Sequence, residues 1–146
     1  IAWTTSSGNL RIKIEYLDTA GTKTLRFNRS KPTVADQAVD YNTTLTVGTW
    51  YHLVMTYDAT TEIGYLNGAS VASGLASGDG AGQSDAFNVG RNDNASNYSS
   101  ASYDEMGIWT RALTAAEASQ LYNGGAGLPY PLTVSTSKNL LLLGVG

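Results

Sequence analysis

No cysteine occurs among the 146 residues, so disulfides and thiolate metal centres are excluded and the redox compartment is not legible from thiols. A cysteine-stapled secreted module is ruled out; secretion itself is not. Histidine is nearly as scarce. His52 is the single imidazole, and with no G-x-S-x-G elbow and no carboxylate at matching spacing it reads as structural. Charge is thin, at 14% of residues, with a net charge of -3, a pI near 4.9 and no basic run. This argues against nucleic acid and anionic membrane as partners, since both need a basic footprint. No apolar run approaches the roughly 18 residues of a spanning helix, the longest being Leu140 to Leu143, so no membrane insertion is expected. The chain opens on Ile1 rather than methionine and has no signal sequence, which reads as a processed product or part of a longer polypeptide.

What is present suits strands and turns. Thr, Ser, Gly and Asn abound, and the aromatics are mostly Tyr, 9 against 3 Trp and 2 Phe. The length is that of one domain with a real core. Leu10, Ile12, Ile14 and Tyr16 alternate with Arg11, Lys13 and Glu15, which predicts a strand with the first group inward. A turn at Asp18 to Gly21 and a return through Leu25 and Phe27 make residues 10 to 28 a hairpin. Asn28 to Asn42 contains Pro32 and no clear period, and is expected to be a loop or irregular edge. Tyr51, Leu53, Met55 and Tyr57 form the inward face of the strongest strand, with His52, Val54 and Thr56 opposite. Glu62 to Leu66 is a further strand. Asn67-Gly68 is the preferred pair for a type I′ turn into a partner beginning at Val71. Residues 73 to 84 read as an exposed loop, Ala86 to Val89 as a strand, and Arg91 to Ser100 as a second polar loop.

From Tyr103 a strand with Met106, Ile108 and Trp109 half-buried is expected to feed a short helix at about 114–122. Thr114 and Glu117 have the spacing of a capping box, and Asn123-Gly124-Gly125 tolerate the positive φ of a helix stop. Asp104 is expected either to pair with Arg111 or to accept backbone amides at this junction.

Three stretches, in order, resemble laminin G-like, or concanavalin A-like, jelly-roll domains, pentraxins included. These are Gly48-Thr49-Trp50-Tyr51-His52-Leu53-Val54-Met55-Thr56-Tyr57-Asp58 with Tyr65-Leu66-Asn67-Gly68, then Phe87-Asn88-Val89-Gly90, then Asp104-Glu105 with Arg111-Ala112-Leu113-Thr114 and Glu117 to Leu121-Tyr122. The resemblance implies an all-β antiparallel two-sheet jelly-roll sandwich with one short C-terminal helix, binding glycan or protein ligands through rim loops, often with calcium. It covers about residues 45 to 125. Residues 1–131 would form the sandwich, and 132–146 an extension serving as an extra strand or assembly contact. Relatives begin with earlier strands, so a neighbouring domain or subunit is expected to complete the sandwich.

In such families the loop after the strand matching Phe87 to Gly90 brings oxygens to calcium; here Asn92, Asp93 and Asn94 are the possible ligands, with Asn97 beside them, though only one is a carboxylate. Ligand contacts are expected from Arg91, Asn92, Asn97, Tyr98 and Tyr103, the tyrosines as platforms for sugar rings. The related glucanases use carboxylates spaced as Glu-x-Asp-x-x-Glu, whereas this chain offers Asp104-Glu105, whose side chains point to opposite faces of a strand. The expectation is a non-catalytic recognition or adhesion module at an extracellular, cell or virion surface. A purely structural decoration or fibre domain of a virion or surface layer is the alternative, and a glycan hydrolase comes last. Sequons stand at Asn28, Asn42, Asn94 and Asn97.

Overall fold

The structure, a computed structural model, describes residues 11–31, 34–75, 89–90 and 98–128. Two antiparallel meanders make the sandwich. The first sheet orders β1 (Arg11–Thr19), β2 (Thr22–Lys31) and β3 (Val34–Asn42); the second orders β4 (Leu53–Tyr57), β5 (Thr61–Leu66) and β6 (Ala69–Leu75). One helix follows, α1 (Ala115–Tyr122), ending in a 3-10 turn at Asn123–Gly125.

Three of the hairpins are closed by chemistry written at their tips. Ala20 and Gly21, at φ 50 and 87, form the two-residue loop between β1 and β2, and Asp18 accepts the Gly21 amide at 3.2 Å. Asp58 accepts the Thr60 and Thr61 amides at 2.9 and 2.7 Å before β5. Asn67 and Gly68, at φ 51 and 76, turn β5 into β6 as expected. This last tip lies beneath α1: a Cβ on Gly68 would stand 3.0 Å from the Ser119 Cα and 3.1 Å from the Tyr122 Cβ. Asn67 also clamps His52, donating its amide to the His52 carbonyl and accepting the His52 amide.

Three expectations need correction. The segment read as loop or irregular edge from Asn28 to Asn42 is ordered strand, because β2 continues to Lys31 and β3 pairs with it from Val34, through a bulge between Arg29 and Lys31. Val39 is the β3 residue packed against the core between the sheets, with the polar Gln37 on the same face, too little for a period to show; ladder pairing supplies what the pattern lacks. Residues 103–109 take no strand pairing among the described residues: Glu105 adopts φ 50, breaking the extended run, and Met106 and Ile108 are exposed. Ile12, at the end of β1, is also exposed rather than inward.

The second sheet is covered on both faces. Leu53, Met55, Leu66 and Val71 pack on Ile14, Leu25 and Phe27 of the first sheet. Val54 and Tyr65 point the other way, onto Leu113 and Ala118 with Trp109 and Leu121. Residues 132–146 and the strand expected at 86–88 lie outside the described residues; Val89 and Gly90 form a bend.

The helix start is the best-specified junction. Thr114 accepts the Glu117 amide at 3.2 Å while Glu117 accepts the Thr114 amide at 2.8 Å. Arg111 reaches the same carboxylate with two bonds of 2.7 and 2.6 Å, so its partner is Glu117 and not Asp104. Chiefly through Arg111, and also through Thr114, the Glu117 carboxyl is pushed down to about 2. A depressed carboxyl stabilises fully above its unfolded value, near 4.5, and the benefit fades as pH falls through the folded one. Glu117→Gln is expected to cost about 1 kcal/mol at pH 7, the usual worth of a cap, and to flatten the loss of stability between about pH 5 and 2, as followed by urea denaturation at each pH.

Candidate functional site

The rim residues that are described gather around Gly90. Its φ of 74 and open face let the Tyr103 ring approach to 3.3 Å from where a Cβ would stand, and its carbonyl accepts the Ser99 amide at 2.6 Å. Tyr103 is therefore half-buried, one side of its ring taken by Gly90 and its hydroxyl enclosed without a hydrogen-bond partner. Tyr98 differs: it is 72% exposed and offers its ring to solvent. Of the residues expected to bind ligand, Tyr98 has its ring exposed and Tyr103 is packed against Gly90. Arg91, Asn92 and Asn97 lie outside the described residues, as do the possible calcium ligands Asn92, Asp93 and Asn94. Among the described residues no group of three or more His, Asp or Glu side chains is gathered for a metal.

The described carboxylates nearest the rim are engaged locally. Asp104 accepts the Glu105 amide at 2.9 Å. Glu105 lies against Gly127, where a Cβ would come within 2.8 Å of its Oε2. Gly127 in turn closes the helix exit, donating to the Tyr122 carbonyl and accepting from the Asn123 side chain at 2.8 Å. His52 is half-buried with its ring 6.1 Å from that of Tyr122; its Nδ1 has no partner, and burial lowers its pKa. That favours the neutral imidazole as a packing group, in keeping with a structural role.

Two features escape the pattern of the sequence. Between the sheets, Glu62 is 1% exposed and both carboxylate oxygens lack hydrogen-bond partners. The buried Arg29 guanidinium sits nearby, 3.7 Å over the Tyr57 ring. Burial pushes the Glu62 carboxyl up to about 7, with the charge of Arg29 opposing. Counting the β5 register back from Asn67-Gly68 sets Glu62 opposite Tyr57 on the inner face, a signal present in the sequence. The second feature is Trp50, 66% exposed on the connection between the sheets. As for the sequons, Asn28 is 3% exposed and so unavailable, Asn42 is exposed, and Asn94 and Asn97 lie outside the described residues.

No curated protein matches the chain. Among solved structures it resembles an S-layer domain-containing protein (residues 221-444) from Clostridium thermocellum ATCC 27405, at 22% identity and a TM-score of 0.41. The match covers 80% of this chain and 58% of that one. The family model described as the concanavalin A-like lectin/glucanases superfamily matches residues 1–119. With two antiparallel sheets and the capped closing helix where the resemblance requires them, the chain belongs to the concanavalin A-like lectin/glucanase superfamily.

Proposed function

We propose that the domain is a non-catalytic recognition module that binds glycan or protein ligands through its rim loops, as part of a larger extracellular or virion surface protein. The observation that carries this reading is Tyr98, an aromatic ring held in solvent on a rim tied down through Ser99 and Gly90. An aromatic so placed offers contact area at low conformational cost. The carboxylates support it from the other side. Glu117 is held by Arg111 and Glu62 is enclosed between the sheets, so both are committed to the fold. Calcium bound by Asn92, Asp93 and Asn94 belongs to the same proposal and is checked by the melting temperature in millimolar calcium against chelator.

The test is an array of neutral and charged glycans probed with the full chain, alongside release of reducing ends from the same glycans. Binding without turnover, weakened by Tyr98→Ala, is the expected result. Turnover would make the domain an enzyme, and silence on every glycan together with failure to hold any surface protein partner would leave a structural module.

A further inference from the structure

We propose that Asn123-Gly124, where α1 ends, is a self-modifying site: the Gly124 nitrogen displaces the Asn123 side-chain amide, and the cap of the helix becomes a carboxylate. The reaction does not depend on what the domain binds.

The chain has two Asn-Gly pairs, and the fold treats them in opposite ways. A glycine after asparagine leaves the attacking nitrogen unshielded by any side chain, but that nitrogen must still swing toward the asparagine Cγ. At Asn67 the swing is blocked. The Asn67 amide donates to the His52 carbonyl, its Oδ1 accepts the His52 amide, and a Cβ on Gly68 would already stand 3.0 Å from the Ser119 Cα. At Asn123 the way is open. Asn123 and Gly124 are both exposed, and a Cβ on Gly124 would meet nothing within 4 Å. Asn123 is left-handed at φ 47 and ψ 45, and swinging its peptide gives up the 3.2 Å bond from the Ala126 amide at a helix end, where opening costs least. Its side chain is held through Nδ2, the atom that leaves, by a 2.8 Å bond to the Gly127 carbonyl.

The Gly124 nitrogen gives its proton to solvent hydroxide and attacks Cγ. The N–Cγ bond forms, the Cγ–Nδ2 bond breaks, and Nδ2 departs as ammonia with a proton from water, leaving a cyclic imide. Water then opens the imide at either carbonyl: at Cγ it gives aspartate, and at the backbone carbonyl it gives isoaspartate, whose chain runs on through Cγ. One water is consumed and one ammonia released, with no change of oxidation state. The product alters the helix exit. A carboxylate at position 123 cannot donate to the Gly127 carbonyl, and Glu105 Oε2 already lies 2.8 Å from the Cβ position of Gly127. The new charge also sits at the negative end of α1, whose last turn has no basic residue to offset it. Conversion therefore loosens the closure between Asn123 and Gly127.

The test holds the full chain folded in mildly alkaline buffer beside a sample unfolded in guanidinium chloride, and follows the peptides carrying Asn67 and Asn123 by mass spectrometry with isoaspartate detection. Unfolded, the two sites are expected to convert at similar rates. Folded, Asn123 is expected to convert at least about tenfold faster than Asn67, because only Asn67 must wait for the turn beneath α1 to open. A smaller ratio, or conversion of neither site in the folded chain, overturns the assignment. Gly124→Ala is expected to slow conversion at Asn123 in the unfolded sample too, where strain in the fold plays no part; an unchanged rate there means that the Gly124 nitrogen is not the attacking group. Asn123→Asp, one of the two products, is expected to melt below wild type, and a melt at or above wild type overturns the loosening of the helix exit.

Discussion

Gly64→Ala is expected to lower the stability of the domain by about 3 kcal/mol, the upper part of the range for overpacking a tight core. Gly64 lies in β5, opposite Met55 of β4 and Ala72 of β6, with its open face toward the first sheet. An added Cβ would stand 2.2 Å from Cδ2 and 2.3 Å from Cε2 of Phe27. Phe27 has no exposed surface and lies between Leu25 and Arg29 on the inner face of β2, with Ile14 and Val39 across the ladders, so its ring has nowhere to swing. Relief requires the two sheets to separate locally, which loosens every contact of the inter-sheet core. The denaturant midpoint reports the loss. Phe27→Leu in the same chain should recover part of it, because a smaller side chain vacates the contested space and the two substitutions then couple rather than add. A loss under about 1 kcal/mol, or additive behaviour, would show that the ring is not held where the structure has it.

The second large effect is electrostatic and depends on pH. Glu62 is buried, and its carboxyl is pushed from 4.5 up to about 7, mainly by burial. The folded state then holds a proton at Glu62 that the unfolded chain has already released, so stability falls as pH rises from about 4.5 through 7. The full span is about 3 kcal/mol at most. Urea midpoints should accordingly be lower at pH 8 than at pH 5. Glu62→Gln is expected to remove most of that slope and to stabilise the domain at pH 8, since an amide of the same shape carries no charge to desolvate. Arg29 limits the gain, because its guanidinium favours the ionised carboxylate and loses that attraction in the variant. Together with Glu117, which loses its benefit only at acid pH, this places the most stable condition near pH 5. A flat profile from pH 5 to 8 in the wild type would mean that Glu62 reaches water.

What could be read from the sequence followed the reach of each signal. The Thr114–Glu117 spacing and the Asn67-Gly68 pair act within a few residues, and both are realised as written. The β1–β2 hairpin was legible for the same reason, since alternation and a Gly21 turn lie side by side. β3 was not, because its inward face is mostly Gln37, Val39 and Tyr41, and its order comes from pairing with β2 rather than from its own pattern. Met106 and Ile108 misled in the opposite sense, being apolar enough for a strand but exposed once Glu105 takes a left-handed turn. The exposure of Tyr98 follows from its place in a polar stretch with little to bury. The exposure of Trp50 was less legible, because adjacent Tyr51 and Leu53 suit a strand, whereas the strand begins only at Leu53 and Trp50 lies on the connection before it.

The Gly68 tip beneath α1 has a consequence for the order of assembly, which α1 variants would test as slower or unchanged folding against faster unfolding. Each of the hairpins pairs neighbours in the chain, and such local closures happen in microseconds. The helix cannot wait on propensity alone, since eight residues are too few to persist unaided in water. Its docking surface is the turn itself, with Ser119 and Tyr122 resting where only a glycine leaves room. Until β5 and β6 have closed through Asn67 and Gly68, that seat does not exist. The helix is thus expected to dock after the second sheet has closed, sealing Val54 and Tyr65 from water as it lands, so that Ala118→Gly should speed unfolding and leave the folding rate nearly unchanged.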